Sequence, residues 1–359
     1  MKKLFASLAL LVATSAMSLF AQSNLVATLI HEGTVTAYYS GSAFVQAYNA
    51  AANGDTIMLS SGSFRAVNIS KSLTIVGSGM HTDSLKNIFP TKLAGDFSIG
   101  AGETNGTLSN VKMEGIYHNG IITLGSNCDT QLQNCSFSKS RFREIQDNRT
   151  YTPQFGRYMH SPTHLNTVFA NCIITYDTSF DQSRQSNISF INSVVHNPDV
   201  AGSATPSMEF VNCIYIHNWK DANTNLGEVG NSNFTNCLII TDKDKGNLPI
   251  YANANRCVSN YNCFGNITDN TNAVVSGYTD LFKTYTGTYS DWETFELTDE
   301  AKTKYLGIDG TEVGIYGGYY PFSPETTIPK ISKFNVAKKS TADGKLSVDI
   351  EVVAGESGQ

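Results

Sequence analysis

Between residues 141 and 164 the chain gathers side chains able to do chemistry: Arg141, Arg143, Arg149 and Arg157, with Asp147, Tyr151, Tyr158, His160 and His164 among them. A guanidinium grips a carboxylate through paired hydrogen bonds, and an aromatic face covers the apolar face of a ring, so this mixture suits an anionic sugar polymer. A second series follows, each member just after an apolar run: Asp177 and Asp181, His196, then His217, Trp219, Lys220 and Asp221, then Asp242 and Lys243. Polar residues in such places also serve as ordinary turn formers. An eliminating lyase needs a base near the proton it removes and something to neutralise the uronate, and for a lyase the expected cofactor is Ca2+ held by carboxylates. A hydrolase needs two carboxyls about 5 to 9.5 Å apart. Neither set forms a linear motif here. The leading expectation is therefore a protein that binds polysaccharide or another surface glycan without turning it over, through a groove of Arg141, Arg143, Arg149, Tyr151, Arg157, His160, Asp177, His217, Trp219 and Asp221. A polysaccharide lyase or glycoside hydrolase is the alternative reading, and a structural or adhesive surface module the third.

Those residues need a scaffold that brings distant stretches to one edge, and the sequence supplies it as a repeat. Phe169-Ala170-Asn171-Cys172-Ile173-Ile174 recurs as Leu132-Gln133-Asn134-Cys135-Ser136-Phe137, Phe190-Ile191-Asn192-Ser193-Val194-Val195, Phe210-Val211-Asn212-Cys213-Ile214-Tyr215 and Phe234-Thr235-Asn236-Cys237-Leu238-Ile239. Asn110 lies in a similar unit upstream, and Asn262-Cys263 is a weaker copy. A period of roughly 20 to 26 residues marks a solenoid. The alternation is that of a strand, interrupted once by Asn, a residue that tolerates positive φ and so predicts a tight bend. Stacked coils would set Asn134, Asn171, Asn192, Asn212 and Asn236 above one another at about 4.8 Å as a ladder. Cys135, Cys172, Ser193, Cys213, Cys237 and Cys263 would then form an inward column. The units are rich in Ile, Val, Phe and Tyr and lack Leu-x-x-Leu-x-Leu spacing, which favours a parallel β-helix over a leucine-rich repeat. The longer interval from Asn134 to Asn171 implies an insertion within residues 138–164.

The chain has 359 residues, a formal net charge of −6 and 7 cysteines. Its Lys and Arg are scattered, so nucleic acid is not an expected partner. Residues 1–21 carry Lys2 and Lys3, an apolar run from Leu4 to Val12 and small residues up to Ala21, the pattern of a secretory signal peptide. That run is too short to span a bilayer, and no later stretch is apolar enough to be a transmembrane segment. The chain is expected to be exported: secreted, periplasmic or on the cell surface. Its cysteines read as small buried side chains, free rather than bridged, and no metal is expected, there being no Cys-x-x-Cys spacing.

Val26 to His31 and Thr34 to Tyr39 read as a hairpin about Glu32-Gly33, followed by a helix with Phe44, Ala47, Tyr48 and Ala51 on one face and Ser42 as N-cap. Together, residues 22–54 would cap the first coil. The next stretch, Asn53-Gly54-Asp55-Thr56-Ile57-Met58-Leu59 through Ser61-Gly62-Ser63-Phe64 to Leu73-Thr74-Ile75-Val76-Gly77, resembles the opening coil of secreted right-handed parallel β-helix proteins of the pectate-lyase-like superfamily. The resemblance implies an all-β solenoid of about 8 coils over residues 55–322, with Lys71 at the bend that later coils give to Asn. It is specific for fold and nearly silent on reaction. The chain lacks the Asp-Asp, Gly-His-Gly and Arg-x-Lys companions of β-helix polygalacturonases, and the calcium-binding aspartates with a basic motif of pectate lyases. Asp309 to Gly318 resembles a closing coil, with Tyr319, Tyr320, Pro321 and Phe322 suited to cover the open end. Residues 323–359 read as a linker and a short β tail, in which Ile331 to Val336 pairs with Lys345 to Val353.

Overall fold

The computed structural model describes residues 25–82, 89–102, 106–125, 130–148, 150–152, 157–160, 162–181, 187–196, 198–201, 208–217, 232–241, 253–260, 264, 271–290, 293–327, 330–337, 339–341 and 343–353. It is a right-handed parallel β-helix. One sheet stacks nine parallel strands in sequence order, from Thr56–Leu59 through Thr74–Val76, Lys112–Glu114, Gln131–Ser138, Thr163–Ala170, Ile188–Ile191, Glu209–Val211 and Asn233–Thr235 to Asn253–Asn255. The second sheet stacks the strands that alternate with them, from Gly62–Arg65 to Ala273–Val274. The first sheet is finished by a hairpin of β1 (Val26–His31) and β2 (Thr34–Tyr39), with β1 antiparallel to Thr56–Leu59, and helix α1 (Ala43–Ala50) lies beside it. Ser42 makes no side-chain cap to α1. Lys71 does not take the left-handed corner expected of it. Its Nζ donates to the Tyr48 and Ala51 carbonyls at 2.7 Å each, neutralising the helix's C-terminal end.

The coil closes because each rung offers one apolar residue to the interior at the same height. Phe137, Phe169, Phe190, Phe210 and Phe234 stack with nearly parallel rings, 4.7, 5.1, 4.9 and 4.7 Å between successive centroids. Two residues on, Asn171, Asn192, Asn212 and Asn236 turn the corner with φ between 46° and 56°, as a bend residue with positive φ requires.

This register corrects one alignment. Phe137, not Leu132, pairs with Phe169, so the rung equivalent to Asn171-Cys172 is Lys139-Ser140. Asn134 and Cys135 belong to a different corner, in file with Asn110-Val111 before them and Asn166-Thr167 after. There Asn166 Nδ2 donates to Asn134 Oδ1 at 3.0 Å. The motif recurs at two corners because both demand the same backbone conformation. At the far end Arg256-Cys257, with φ 55° at Arg256, takes the position assigned to Asn262-Cys263, and those two lie outside the described residues.

The inward column is thus Ser140, Cys172, Ser193, Cys213, Cys237 and Cys257, and it is a hydrogen-bond ladder. Each Cys in it donates its thiol to the carbonyl two residues back and to one in the coil before: Cys213 Sγ to Val211 and Phe190 at 3.3 and 3.2 Å, Cys237 Sγ to Thr235 and Phe210 at 3.2 and 3.3 Å. Ser193 does the same with its hydroxyl and accepts from Cys172 N at 3.0 Å. A small donor that can also accept is what the position requires, so Ser and Cys both serve there. The five described cysteines are unbridged. Asn272 ends the ladder, its Oδ1 accepting from Cys257 N at 2.8 Å.

A second apolar cluster lies outside the coil. Ile173, Val194, Ile214, Ile216, Leu238 and Ile240 point outward from the second sheet and are buried by Val275, Tyr278, Leu281, Phe282, Tyr285, Phe295, Leu297 and Ile315. This cover, residues 275–315, is why strands such as Ile214–His217 read as continuous apolar runs: both faces are dry. Burial of a large aliphatic side chain contributes about 1.5 to 3 kcal/mol, so the cover is integral to the fold.

The chain then doubles back, and the expectation of a closing coil at 309–322 gives way to a strap along the asparagine corners. Ile308 N donates to Asn236 Oδ1 at 2.9 Å, Asn192 Nδ2 donates to the Ile315 and Gly317 carbonyls at 2.8 and 2.7 Å, and Ser323 N donates to Asn171 Oδ1 at 2.7 Å. At its lower end Thr327 Oγ1 donates to Glu114 Oε2 at 2.9 Å. The side-chain amides of Asn171, Asn192 and Asn236 therefore bond to the strap, while Asn212 Oδ1 is buried without a hydrogen-bond partner. Tyr319 is 90% exposed and covers nothing. Beyond the strap, Lys330–Val336 and Val348–Val353 form the expected antiparallel pair.

Candidate functional site

The outward position that is apolar from Ile173 onward is polar on the earlier coils. By register Lys92, Tyr117 and Arg141 occupy it on three successive rungs of the second sheet, directly before Ile173. The Lys92 ammonium and the Arg141 guanidinium flank the Tyr117 ring at 5.3 and 5.1 Å from its centroid. Arg141 also lies 5.7 Å from the ring of Tyr289, which belongs to the cover. Each contact is a cation over a π face. Along the same strand Arg143 lies 4.6 Å from the Tyr176 ring, with its Nη1 3.5 Å from Glu144 Oε2. A kink brings Arg143 to the surface: the pairing slips between Phe142 and Glu144, and between His118 and Ile121 on the strand before. The uncovered part of this face therefore presents Lys92, Tyr117, Arg141, Arg143 and Tyr176, bounded by Tyr289 where the cover begins.

The residues expected to line a groove divide into three groups. Arg141 and Arg143 sit in an ordinary rung, Arg141–Asp147, and not in the insertion; Asp177 lies within the strand Ile173–Asp181, opposite Glu144, and not in a turn after it. Tyr151, Arg157 and His160 fall in the antiparallel hairpin of Thr150–Thr152 and Arg157–His160, which is the insertion, and His217 ends the strand Ile214–His217. The side chains of Tyr151, Arg157, His160, Asp177 and His217 lie outside the described atoms, and Arg149, Trp219 and Asp221 lie outside the described residues. The structure thus brings Arg141, Arg143 and the backbone of Asp177 onto one face.

Asp147 and His164 resemble half of a catalytic relay. Asp147 Oδ1 lies 2.8 Å from His164 Nε2, and His164 Nδ1 lies 3.2 Å from Thr167 Oγ1. Both side chains of the pair are 0% exposed, so no substrate reaches them. They close the base of the insertion, joining the end of one rung to the start of the next. His160 and His164 are four residues apart, a spacing that gathers two imidazoles only on a helix. Here they lie on strands, and the His164 Nε2 is taken by Asp147. Among the described residues no group of three or more His, Cys, Asp or Glu could hold a metal.

His196, expected on the groove edge, is buried under the cover, its ring edge-on to Tyr289 with centroids 4.9 Å apart. Its Nε2 has no hydrogen-bond partner. Burial, helped by the nearby Arg141 charge, pushes its pKa down to about 4, so it is neutral at pH 7. The cover also holds a cleft of about 470 Å³ between Tyr278–Asp280 and the short helix Asp299–Lys304. Sequence reasoning missed Lys92, Tyr117 and Tyr176. Their one signal was position, Tyr117 one rung and Lys92 two rungs before Arg141, and Tyr176 against Arg143, which is visible only once the register is known.

No family model matches this chain, and neither the curated proteins nor the solved structures contain a match to it.

Proposed function

We propose that this chain is an exported carbohydrate-binding solenoid of the pectate-lyase-like kind, holding an acidic polysaccharide across the uncovered coils of the second sheet without cleaving it. The observation that carries this reading is the file Lys92, Tyr117, Arg141, with Arg143 and Tyr176 beside it: cations and aromatic rings alternate on rungs about 4.8 Å apart. That rise is comparable to one sugar unit of an extended polymer, so successive rungs can meet successive sugars, with the cations that lie against the tyrosine rings meeting carboxylates. The described carboxylates near this face argue for binding over catalysis, since Glu144 is engaged by Arg143 and Asp147 is sealed against His164. The leader at residues 1–21 suits a ligand met outside the cytoplasm.

Affinity electrophoresis through gels containing polygalacturonate, alginate or a neutral glucan tests this. Retention is expected in the acidic gels alone, weakened by salt. Lys92→Ala with Arg143→Ala should weaken it about 10-fold or more, two charge-assisted contacts each contributing about 1 kcal/mol or above. Retention unchanged in that double variant would place the ligand elsewhere, and release of unsaturated or reducing ends from any polymer would replace binding by turnover.

A further inference from the structure

Strand β2 is the outermost strand of the first sheet, and among the described residues no strand lies beyond it. Its exposed edge has a definite parity. Ser40 N donates to the Leu25 carbonyl, and Ser60 N to the Val26 carbonyl, so in β1 the odd residues face β2 and the even ones face Thr56–Leu59. Carried across the register that pairs Val26 with Tyr39, the even residues of β2 bond to β1. The N–H and C=O groups of Val35, Ala37 and Tyr39 therefore point away from the sheet.

Native sheets blunt a free edge with charge, proline, a bulge or brevity. The other free edges here follow that rule: Asn253–Asn255 is three residues long, and Lys330–Val336 carries Lys330 and Lys333 and a bulge. Thr34–Tyr39 is six residues of Thr, Val, Ala and Tyr without charge, proline or bulge. It also extends past the core: Thr34 and Thr36, on the face that β1 buries, are exposed, and on the other face Val35 and Tyr39 are each 65% exposed.

We infer that β2 pairs antiparallel with β2 of a second copy about a two-fold axis through Ala37, joining two solenoids through one continuous sheet. Because the outward backbone groups are those of residues 35, 37 and 39, hydrogen-bonded pairs must be Val35 with Tyr39 of the partner subunit, Ala37 with Ala37 of the partner subunit, and Tyr39 with Val35 of the partner subunit. No other antiparallel register joins all three outward residues with their own copies. The smallest side chain then meets itself on the axis, where bulk would be felt twice, and each exposed Tyr covers an exposed Val, a favourable aromatic and β-branched cross-strand pair. No like charges oppose one another. An unrelated peptide could use the same edge, but only a second copy is matched at every position.

Light scattering after size exclusion, over about 1 to 100 µM, reads the outcome. The chain of 39.0 kDa should run at twice that mass at the upper end. Ala37→Glu, which sets two carboxylates on the axis, and Val35→Lys, which alters an exposed side chain, should each return it to the monomer mass with an unchanged melting curve. Ala37→Cys should cross-link copies on mild oxidation, since hydrogen-bonded antiparallel partners lie about 5.5 Å apart between Cα atoms, within disulfide reach. A wild-type chain that stays monomeric throughout, or Val35→Lys chains that still pair, would overturn the inference. If Ala37→Glu fails to fold, Val35→Lys and the cross-link decide it.

Discussion

Acid should loosen the cover before it unfolds the coil, and His196 is the reason. In the folded chain burial depresses its pKa to about 4, against 6.5 for the free side chain. An opened or unfolded chain therefore binds a proton that the closed one refuses, and between those values stability rises with pH. Full stability is present above about pH 6.5 and is lost progressively as pH falls towards 4. Linkage for that single group costs about 2 kcal/mol between pH 7 and pH 5, and about 3 kcal/mol in the acid limit. His31 runs the other way: its pKa is raised by the hydrogen bond to Asp55, so its contribution is complete below the free value and lost as pH rises through the raised one. The informative quantity is thus the difference between wild type and His196→Phe, which keeps a ring against Tyr289 and abolishes the titration. Urea melts of both at pH 7.5, 6, 5 and 4.5, with hydrogen exchange across residues 275–315, should show a gap that opens in acid to about 2 kcal/mol at pH 5. In wild type alone, protection of the cover should fall first. A gap independent of pH would refute the assignment of a buried neutral imidazole.

Four further outcomes follow from the packing. Cys213→Ser should cost less than about 1 kcal/mol because Ser140 and Ser193 already fill that file, whereas Cys213→Val, similar in bulk but unable to bond the Val211 and Phe190 carbonyls, should cost about 1 to 3 kcal/mol in the same melts. In the native chain Cys172, with its pKa pushed up to about 12 by burial, should resist alkylation at pH 8 until denaturant is added. Asn192→Ala removes both bonds to the strap carbonyls and should cost about 1 to 3 kcal/mol, seen as faster proteolytic nicking within residues 306–327. Gly115→Ala should be worse than an ordinary surface change: φ is +67° and the new Cβ would clash with Thr326 Cγ2, so a loss of about 2 kcal/mol and a loosened strap are expected in thermal melts.

The repeat of an apolar residue, Asn and a small residue carried enough by itself to specify a parallel β-helix, because a left-handed corner, a dry interior and a small hydrogen-bonding column are each local demands that few residue types satisfy. The hairpin about Glu32-Gly33 and the pairing in the tail were legible for the same reason. What the sequence left open was which corner each Asn occupies. Leu132-Gln133-Asn134-Cys135 and Phe169-Ala170-Asn171-Cys172 look alike, and only stacking, which sets Phe137 against Phe169, shows that they are different corners. The same contacts decided that Arg141 stands on a rung beside Lys92 and Tyr117 while His196 lies under a cover. A residue's neighbours in a solenoid are one coil away, on the order of twenty positions along the chain, so exposure and partnership are properties of the stack and not of the segment.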